Sequence, residues 1–410
     1  MKVLVIGSGG REHALVRKIG QSERVEEVYV IRGNEAISRE AKVIDIAEND
    51  HEAIVNFAQD SQIDLVVIGP EQPLIDGLSD RLSEAGIKTF GPNANAAQME
   101  GSKDFAKILM EKYNIPTAKY KTIDDKAEAI AYVKAQGTPI VIKYDGLAAG
   151  KGVVVAMDDV TALDAINDFY AEEGAKVVFE EYLEGEEFSL MVFVNDDFCI
   201  PFDTIAQDHK RAFDGDNGPN TGGMGAYCPV SHISDAMLER TNHEIVYPVV
   251  DAMYKEGLNY FGILYVGAIV TAEGPKVIEF NARFGDPEAQ VLLRRLETDF
   301  IDLIEAVDQK QPLDLVWRNK TICGVVLASK GYPGNYDKGI VVKGYDYQQD
   351  YIVSALKQVD GEWVTSGGRV MIALGEGHDL AEAQSNSYKL VESIKSDGLF
   401  YRTDIGNKGI

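Results

Sequence analysis

Residues 2–15 read KVLVIGSGGREHAL: an aliphatic, β-branched run, a turn with Gly7, Gly9 and Gly10, then a helical pattern. An unbroken apolar run fits a strand covered on both faces. A glycine turn that opens a helix presents free backbone N–H groups and the positive helix end to an anion. Three comparable runs follow, VEEVYVI (25–31), IDLVVIG (63–69) and IKTFGP (87–92), separated by amphipathic stretches. Their alternation predicts a doubly wound α/β domain with a parallel sheet over residues 1–102. A dinucleotide fingerprint needs GxGxxG and an acidic residue about twenty positions further on. Gly7 and Gly9 fit, but Glu12 stands in the third glycine's place and Arg32 where the acid belongs. A nicotinamide cofactor is thus disfavoured. One phosphate, helped by Arg11, or a tight turn without a ligand are the remaining readings.

The chain has 410 residues, 45% of them hydrophobic, enough for two or three domains. Its formal net charge of −26 repels polyanions, which argues against nonspecific binding of nucleic acid or anionic membranes. An anionic ligand must be held by local cationic groups. Cys199, Cys228 and Cys323 lie far apart without CxxC spacing, which fits neither a disulfide framework nor a thiolate zinc site and points to the cytoplasm. No leader-like start and no apolar run of membrane-spanning length is present.

Beyond the first domain the pattern changes. A helix is expected over 102–110, and PIVIKYDGLAAGKGVVVA (139–156) reads as two strands around a glycine-rich turn, a hairpin suited to a mobile lid. A helical stretch over 162–170 precedes the strands KVVFEEYL (176–183) and EFSLMVFV (187–194). The polar loop at 206–229 is long enough to be functional or disordered. Strands recur at 264–271 and 275–284, residues 309–320 look like a boundary, and 321–410 is strand-rich with one late helix.

DGLAAGKGV (145–153) fails the P-loop pattern, because Gly146 and Gly150 are too close and Gly152 follows Lys151. Glycines beside a lysine still suit backbone that folds over phosphate oxygens, and Lys143 could reach the same anion. A solvated hairpin tip is the plain alternative. In VIEFNARFGDPE (277–288), period-two geometry puts Glu279 and Asn281 on one strand face, with Arg283 following on that side. Oxygen ligands beside an arginine suit a nucleotide-bound magnesium; a solvated strand edge would look similar.

Together, GSGGREHAL (7–15), GPEQPLIDGL (69–78), FGPNANAAQMEGSKDFAK (90–107), DGLAAGKGV, QDHKRAFDGDNGPNTGGMGAYCP (207–229) and FNARFGDPEAQ (280–290) resemble, in this order, the phosphoribosylamine–glycine ligase family of the ATP-grasp superfamily. The resemblance spans essentially the whole chain. It implies an N-terminal α/β domain (1–102), an ATP-grasp region (103–320) with a lid at about 120–188, and a C-terminal domain (321–410). It also implies a reaction in which ATP, glycine and 5-phosphoribosylamine give glycinamide ribonucleotide, ADP and phosphate, through glycyl phosphate.

By that resemblance Lys103 and Lys143 hold the ATP phosphates, and Gly146, Gly150, Lys151 and Gly152 cover them. Backbone groups from Glu180 to Leu183 read the adenine, and Glu187 accepts ribose hydroxyls. Glu279 and Asn281 bind Mg2+ or Mn2+, Lys143 also acts in catalysis, and Arg283 stabilises either the transferring phosphoryl or the glycine carboxylate. Gly10 and Arg11 meet the phosphoribosylamine, Glu71 its ribose hydroxyls and Arg369 its 5-phosphate, while Asp214 takes the glycine ammonium. An acidic hairpin at 180–187, a structural Arg369 and a turn-capping Asp214 are the competing readings. His13 and His209 are read as packing or capping residues. The implied partners are the small-molecule substrates glycine and 5-phosphoribosylamine, with neither nucleic acid nor membrane; a monomer is compatible with the sequence, which leaves oligomeric state and contacts with other enzymes of the pathway open. One departure is that LYVGAIVT (264–271) lacks the metal-binding acid of many ATP-grasp enzymes, which leaves a second ion's geometry open. The rivals are a carboxylase of the same superfamily and an ATP-sensing module; Lys143, Glu279, Asn281 and Arg283 together exceed what sensing requires.

Overall fold

The computed structural model describes residues 1–147 and 152–410. Strands β1 (Lys2–Gly7), β2 (Glu27–Arg32), β3 (Lys42–Ile44), β4 (Leu65–Ile68) and β5 (Thr89–Phe90) pair in parallel in the order β3-β2-β1-β4-β5. Val3 to Ile6 are fully buried, as helices on both faces of a parallel sheet require. The strand order reverses between β1 and β4, and in such sheets ligands bind at the carboxyl ends of the two strands flanking the reversal.

A second sheet is antiparallel, with β6 (Tyr120–Ile123), β7 (Ile140–Tyr144), β8 (Val153–Ala156) and β9 (Val177–Glu181) in the order β6-β9-β7-β8. Helices Lys126–Gln136 and Asp159–Phe169 close one face of it around Ile140, Ile142, Phe179, Val133 and Ile166, a small core of its own. This lid sheet ends at Glu181, short of the expected 188. The next strand, β10 (Glu186–Asn195), instead pairs with Phe261–Thr271 and belongs to a four-stranded floor with β11 (Phe198–Pro201) and Gly274–Asn281. At the hinge Gly185 has φ +155°, and a Cβ there would stand 2.0 Å from the Val270 carbonyl oxygen.

The remaining large sheet is centred on Thr321–Ser329, between Gly225–Cys228 and Arg369–Gly377, with Gln207–Asp208 and Tyr351–Val353 outside them. The segment expected to be one long loop therefore supplies two strands of this sheet, and only its tip, a hairpin of Arg211–Phe213 with Asn217–Asn220, stands apart. No helix among the described residues is long and apolar enough to cross a membrane.

Candidate active site

The reversal in the first sheet brings two turns together. The turn after β1 starts α1 (Gly10–Ile19), and the turn after β4 starts the short helix Glu71–Ile75. Arg11 and Glu71 lie 3.7 Å apart, and both reach the segment after Gly274–Asn281: Arg11 Nη1 donates to the Phe284 carbonyl at 3.1 Å, and Glu71 accepts from Arg283 Nε at 3.1 Å. Glu12 folds back over the turn, accepting the Gly9 N–H at 2.7 Å and the Arg11 Nε–H at 2.6 Å. Glycine next door makes room for it, since a Cβ at Gly69 would fall 2.2 Å from Glu12 Oε1. Glu12 thus occupies the inside of the turn, where a pyrophosphate would have to approach, and the nicotinamide reading fails sterically. It also removes one of the N–H groups expected to be free for a phosphate.

Along the floor strand Phe280, Ala282 and Phe284 are buried, whereas Glu279, Asn281 and Arg283 turn the other way and are partly exposed. Arg283 is held as a fork, with Nη2 2.7 Å from Glu100 and Nε on Glu71. Burial alone would raise the Glu71 carboxyl, but Arg283 and Arg11 override it and bring it down to about 2. Glu100 goes the other way, because its burial outweighs Arg283. Asn281 satisfies its surroundings with its amide nitrogen donating to the Phe280 carbonyl and to Glu100, both at 3.2 Å, which turns its oxygen elsewhere. Glu279 is kept ionised: burial pushes its carboxyl up, and Lys210, Lys143 and Lys103 together pull it below the usual range. An ionised carboxylate and a neighbouring amide oxygen fit a hard divalent cation whose other ligands come from nucleotide phosphates.

Lysines reach this floor from three places: Lys143 from the lid, Lys103 and Lys107 from the helix Lys103–Lys112 that precedes it, and Lys210 from the turn between Gln207–Asp208 and Arg211–Phe213. Lys143, on β7, pairs with Glu180 at 2.9 Å and donates to the Ile278 carbonyl at 2.8 Å, beside Glu279. Glu180 also meets Lys107 at 3.2 Å, so two buried lysines share one carboxylate. Lys107 is lowered to about 8, first by burial and then by Lys143, against the pull of Glu180. Lys103 donates to the Gly146 carbonyl at 2.9 Å, and burial lowers its pKa too. Lys210 stands 3.0 Å from Glu187 and 3.9 Å from Glu279; burial would lower it, but these two carboxylates raise it. Lys103, Lys107, Lys143 and Lys210 gather around Glu180, Glu187 and Glu279, placing four local cations where an anion could be held in an otherwise acidic chain. Leu183 lies in the linker between lid and floor, and Gly152 accepts the Tyr144 N–H at 2.8 Å. Gly150 and Lys151 fall outside the described residues.

Asp214 and Arg369, like Arg11, Arg283, Lys103 and Lys143, are also engaged in protein contacts. Both carboxylate oxygens of Asp214 bind Thr403, by its N–H at 2.8 Å and its hydroxyl, on the C-terminal segment. Asp214 lies at the hairpin tip, where these contacts pin the C-terminal segment. Arg369 donates to the Gly222 and Asp286 carbonyls, both at 2.6 Å, and pairs with the Asp286 carboxylate at 3.0 Å, so it fastens the glycine loop to the GDPE turn.

The sequence reading left Lys107, Lys210, Glu100, Asp208, Asp286 and Glu288 without roles. Lys107 follows Lys103 by one helical turn, a legible signal; the others are joined by contacts distant in sequence. Asp208 Oδ1 is buried without a hydrogen-bond partner, and burial together with Glu288 raises its pKa. Glu288 accepts from Ser189 Oγ at 2.8 Å.

Comparison with known proteins agrees across this arrangement. Family models of phosphoribosylglycinamide synthetase match residues 1–100 (N domain), 101–289 (ATP-grasp domain) and 322–408 (C domain). A phosphoribosylamine–glycine ligase of Halalkalibacterium halodurans is 51% identical over all of this chain and 97% of its own length, and one of Listeria monocytogenes is 49% identical with both chains fully covered. The crystal structure of a Thermotoga maritima phosphoribosylamine–glycine ligase superposes with TM-score 0.85 at 30% identity over 99% of this chain and all of that one. A Campylobacter jejuni biotin carboxylase shares the fold alone, with TM-score 0.72 at 14% identity over 99% of this chain and 94% of that one. The family models together cover nearly the whole chain and the relatives match it end to end, and the chain belongs to the phosphoribosylglycinamide synthetase (phosphoribosylamine–glycine ligase) family.

Proposed function

We propose a division of labour within the ATP-dependent ligation of glycine that the chain, as a member of this family, performs in purine biosynthesis. The single observation that carries it is the lysine cluster of lid and floor facing Glu279. ATP lies between lid and floor, its phosphates on Lys103 and Lys143, with Lys107 and Lys210 adding positive charge. The adenine lies at the 180–183 linker, with Glu187 on the ribose. Glu279 and Asn281 would hold Mg2+ or Mn2+, which supplies charge neutralisation on the phosphates.

A carboxylate does not acylate an amine directly, because oxide is too poor a leaving group. The glycine carboxylate therefore takes the γ-phosphoryl, releasing ADP, and the amine nitrogen then displaces phosphate from the mixed anhydride. Lys143 and Arg283 stabilise the transferring group, and the protein contributes mainly positioning and charge. With Asp214 engaged elsewhere, the orphaned Asp208 carboxylate beside Glu288 is the better seat for the glycine ammonium. The acceptor lies against Gly10, Arg11 and Glu71, where two loops from the sheet reversal meet, with Arg369 and Asp286 at its far side. A lid over the anhydride keeps water out. Regions 1–102, 103–320 and 321–410 are the working units of this reading, in a cytoplasmic monomer.

The test is ADP release with ATP, magnesium and glycine, with and without phosphoribosylamine generated in place. Turnover that needs both, with one glycinamide ribonucleotide per ADP, is the expected result; ADP release indifferent to glycine would sink the reading.

A further inference from the structure

A second cleft, of about 480 Å³, opens on the outer side of the glycine turn, between the first domain and the segment 345–350. That volume suits a ligand of nucleotide size. Its charged lining consists of Arg17, Arg39 and Arg294 against Glu40 and Asp350, with Glu376 also 3.4 Å from Arg294, so that Arg39 is left as the guanidinium of the cleft without an acidic partner among the described residues. Arg17 forks onto Glu40 at 2.7 and 3.1 Å, and Arg294 pairs with Asp350 at 3.1 Å. Arg39 makes no ion pair among the described residues; its guanidinium lies 4.1 Å from the ring centre of Tyr347, which is itself 52% exposed. Tyr345 is braced edge-on against Trp363, their ring centres 5.2 Å apart. A guanidinium without an ion-pair partner, lying over one face of a half-exposed tyrosine ring, offers an anion donor beside an aromatic surface.

The walls of this cleft also touch the glycine turn. Val353 donates its N–H to His13 Nδ1 at 2.9 Å, which makes Nδ1 the acceptor and leaves Nε2–H to donate to Glu40 at 3.1 Å. His13 is on α1, one turn after Gly10. Asn34 joins the Ser8 carbonyl to the Val353 carbonyl, at 3.0 and 3.2 Å. A ligand anion that draws Arg17 away from Glu40 would therefore disturb the hydrogen bonds that set the turn.

We propose that this cleft is a second small-molecule site. It takes a nucleoside monophosphate, with the phosphate on Arg39 and Arg17 and the base against Tyr347, and its occupancy is felt at the glycine turn. The site itself stands apart from the catalytic reading; only its effect on the acceptor rests on that reading. The experiment is calorimetric titration of the full chain with AMP while saturating ADP and magnesium fill the nucleotide site, for wild type, Arg39→Ala and Tyr347→Ala. AMP is expected to bind wild type and to lose at least tenfold in affinity in each variant. Ribose 5-phosphate and inorganic phosphate are expected to bind more weakly than AMP. In turnover, AMP should shift the KM for phosphoribosylamine in wild type and leave it unmoved in Arg39→Ala. No AMP binding beside ADP, or equal binding by all three proteins, overturns the site. Phosphate binding as tightly as AMP overturns base recognition. Binding that depends on Arg39 with no change in amine KM overturns the coupling, whereas failure of the acceptor reading would show separately, as an amine KM indifferent to Arg11→Ala.

Discussion

The two ends of the active site handle anions by different means. At the lid end the cations are lysines: Lys103, Lys107 and Lys143 are buried or partly buried, and burial lowers Lys103 and Lys107. At the glycine-turn end they are arginines, Arg11, Arg283 and Arg369, each fixed by carboxylates and carbonyls. A lysine is a rotatable point charge on a flexible stem, whereas an arginine is a planar fork whose geometry its partners fix in advance. Both sets have protein partners, Lys143 and Lys107 on Glu180 and Lys103 on the Gly146 carbonyl, but an ammonium can swing from such a partner to a phosphoryl oxygen more readily than a forked guanidinium can turn out of its plane.

The largest expected effect tests the mobile end. Lys143→Met should lower kcat by about 10²–10³ or more, the scale for losing one charge that stabilises a transition state. ADP release at saturating glycine and amine measures it, and a loss confined to amine KM would erase the contrast.

Acidification should weaken both ends together, because His209 sits between Asp208 and Lys210. It accepts the Gly406 N–H on Nε2 at 3.2 Å, which requires the neutral ring, and burial, then Arg402 and Lys408, lower its pKa to about 4. The unfolded chain protonates near 6.5 while the folded one does not, so stability is complete above about 6.5 and falls as pH drops toward 4. The loss should approach ~3 kcal/mol, seen as a lower Tm, and should shrink in His209→Gln.

Arg11→Ala should raise amine KM about 10–100-fold, or ~1.4–2.7 kcal/mol, with ATP KM within about twofold of wild type. Equal losses of both substrates would show that the two ends are not separate. The smallest effect is expected at the latch, where Asn220 Nδ2 donates to the Val153 carbonyl of the lid at 3.2 Å. Asn220→Ala removes one hydrogen bond of about 0.5–1.5 kcal/mol and should raise ATP KM a few-fold without touching amine KM.

In the first sheet β3 was not legible, because Lys42–Ile44 is a three-residue, mostly exposed edge strand with no apolar run of its own; the other four strands were, because each is a continuous apolar run with amphipathic crossovers between them, both local signals. Glu279, Asn281 and Arg283 were legible for the same reason, through the alternation of one strand. Gly225–Cys228 was not: its partner is the segment from Ile322 to Val325, and a short glycine-containing strand carries little local pattern. Nor was the lid boundary, since β10 reads equally well as a continuation of β9 until its pairing with Phe261–Thr271 is known. Lys210 and Asp208 were quoted in a motif but had no visible role, because what defines them is Glu187, Glu279 and Glu288 nearby in space. The contact of Asp214 with Thr403 was not legible either, because an acidic residue in a polar loop looks the same whether it faces a ligand or a distant segment of its own chain.

The sheet that gathers segments from Gln207 to Phe400 governs how the chain can be made and cut. On a ribosome adding about 5–20 residues per second, Gly225 emerges several seconds before Val325, its partner, and waits as an unpaired edge. The polar stretch at 309–320 looks like a natural place to divide the gene. A fragment ended there would keep that edge open permanently, so the two products would tend to aggregate or seek each other rather than stand as independent folding units.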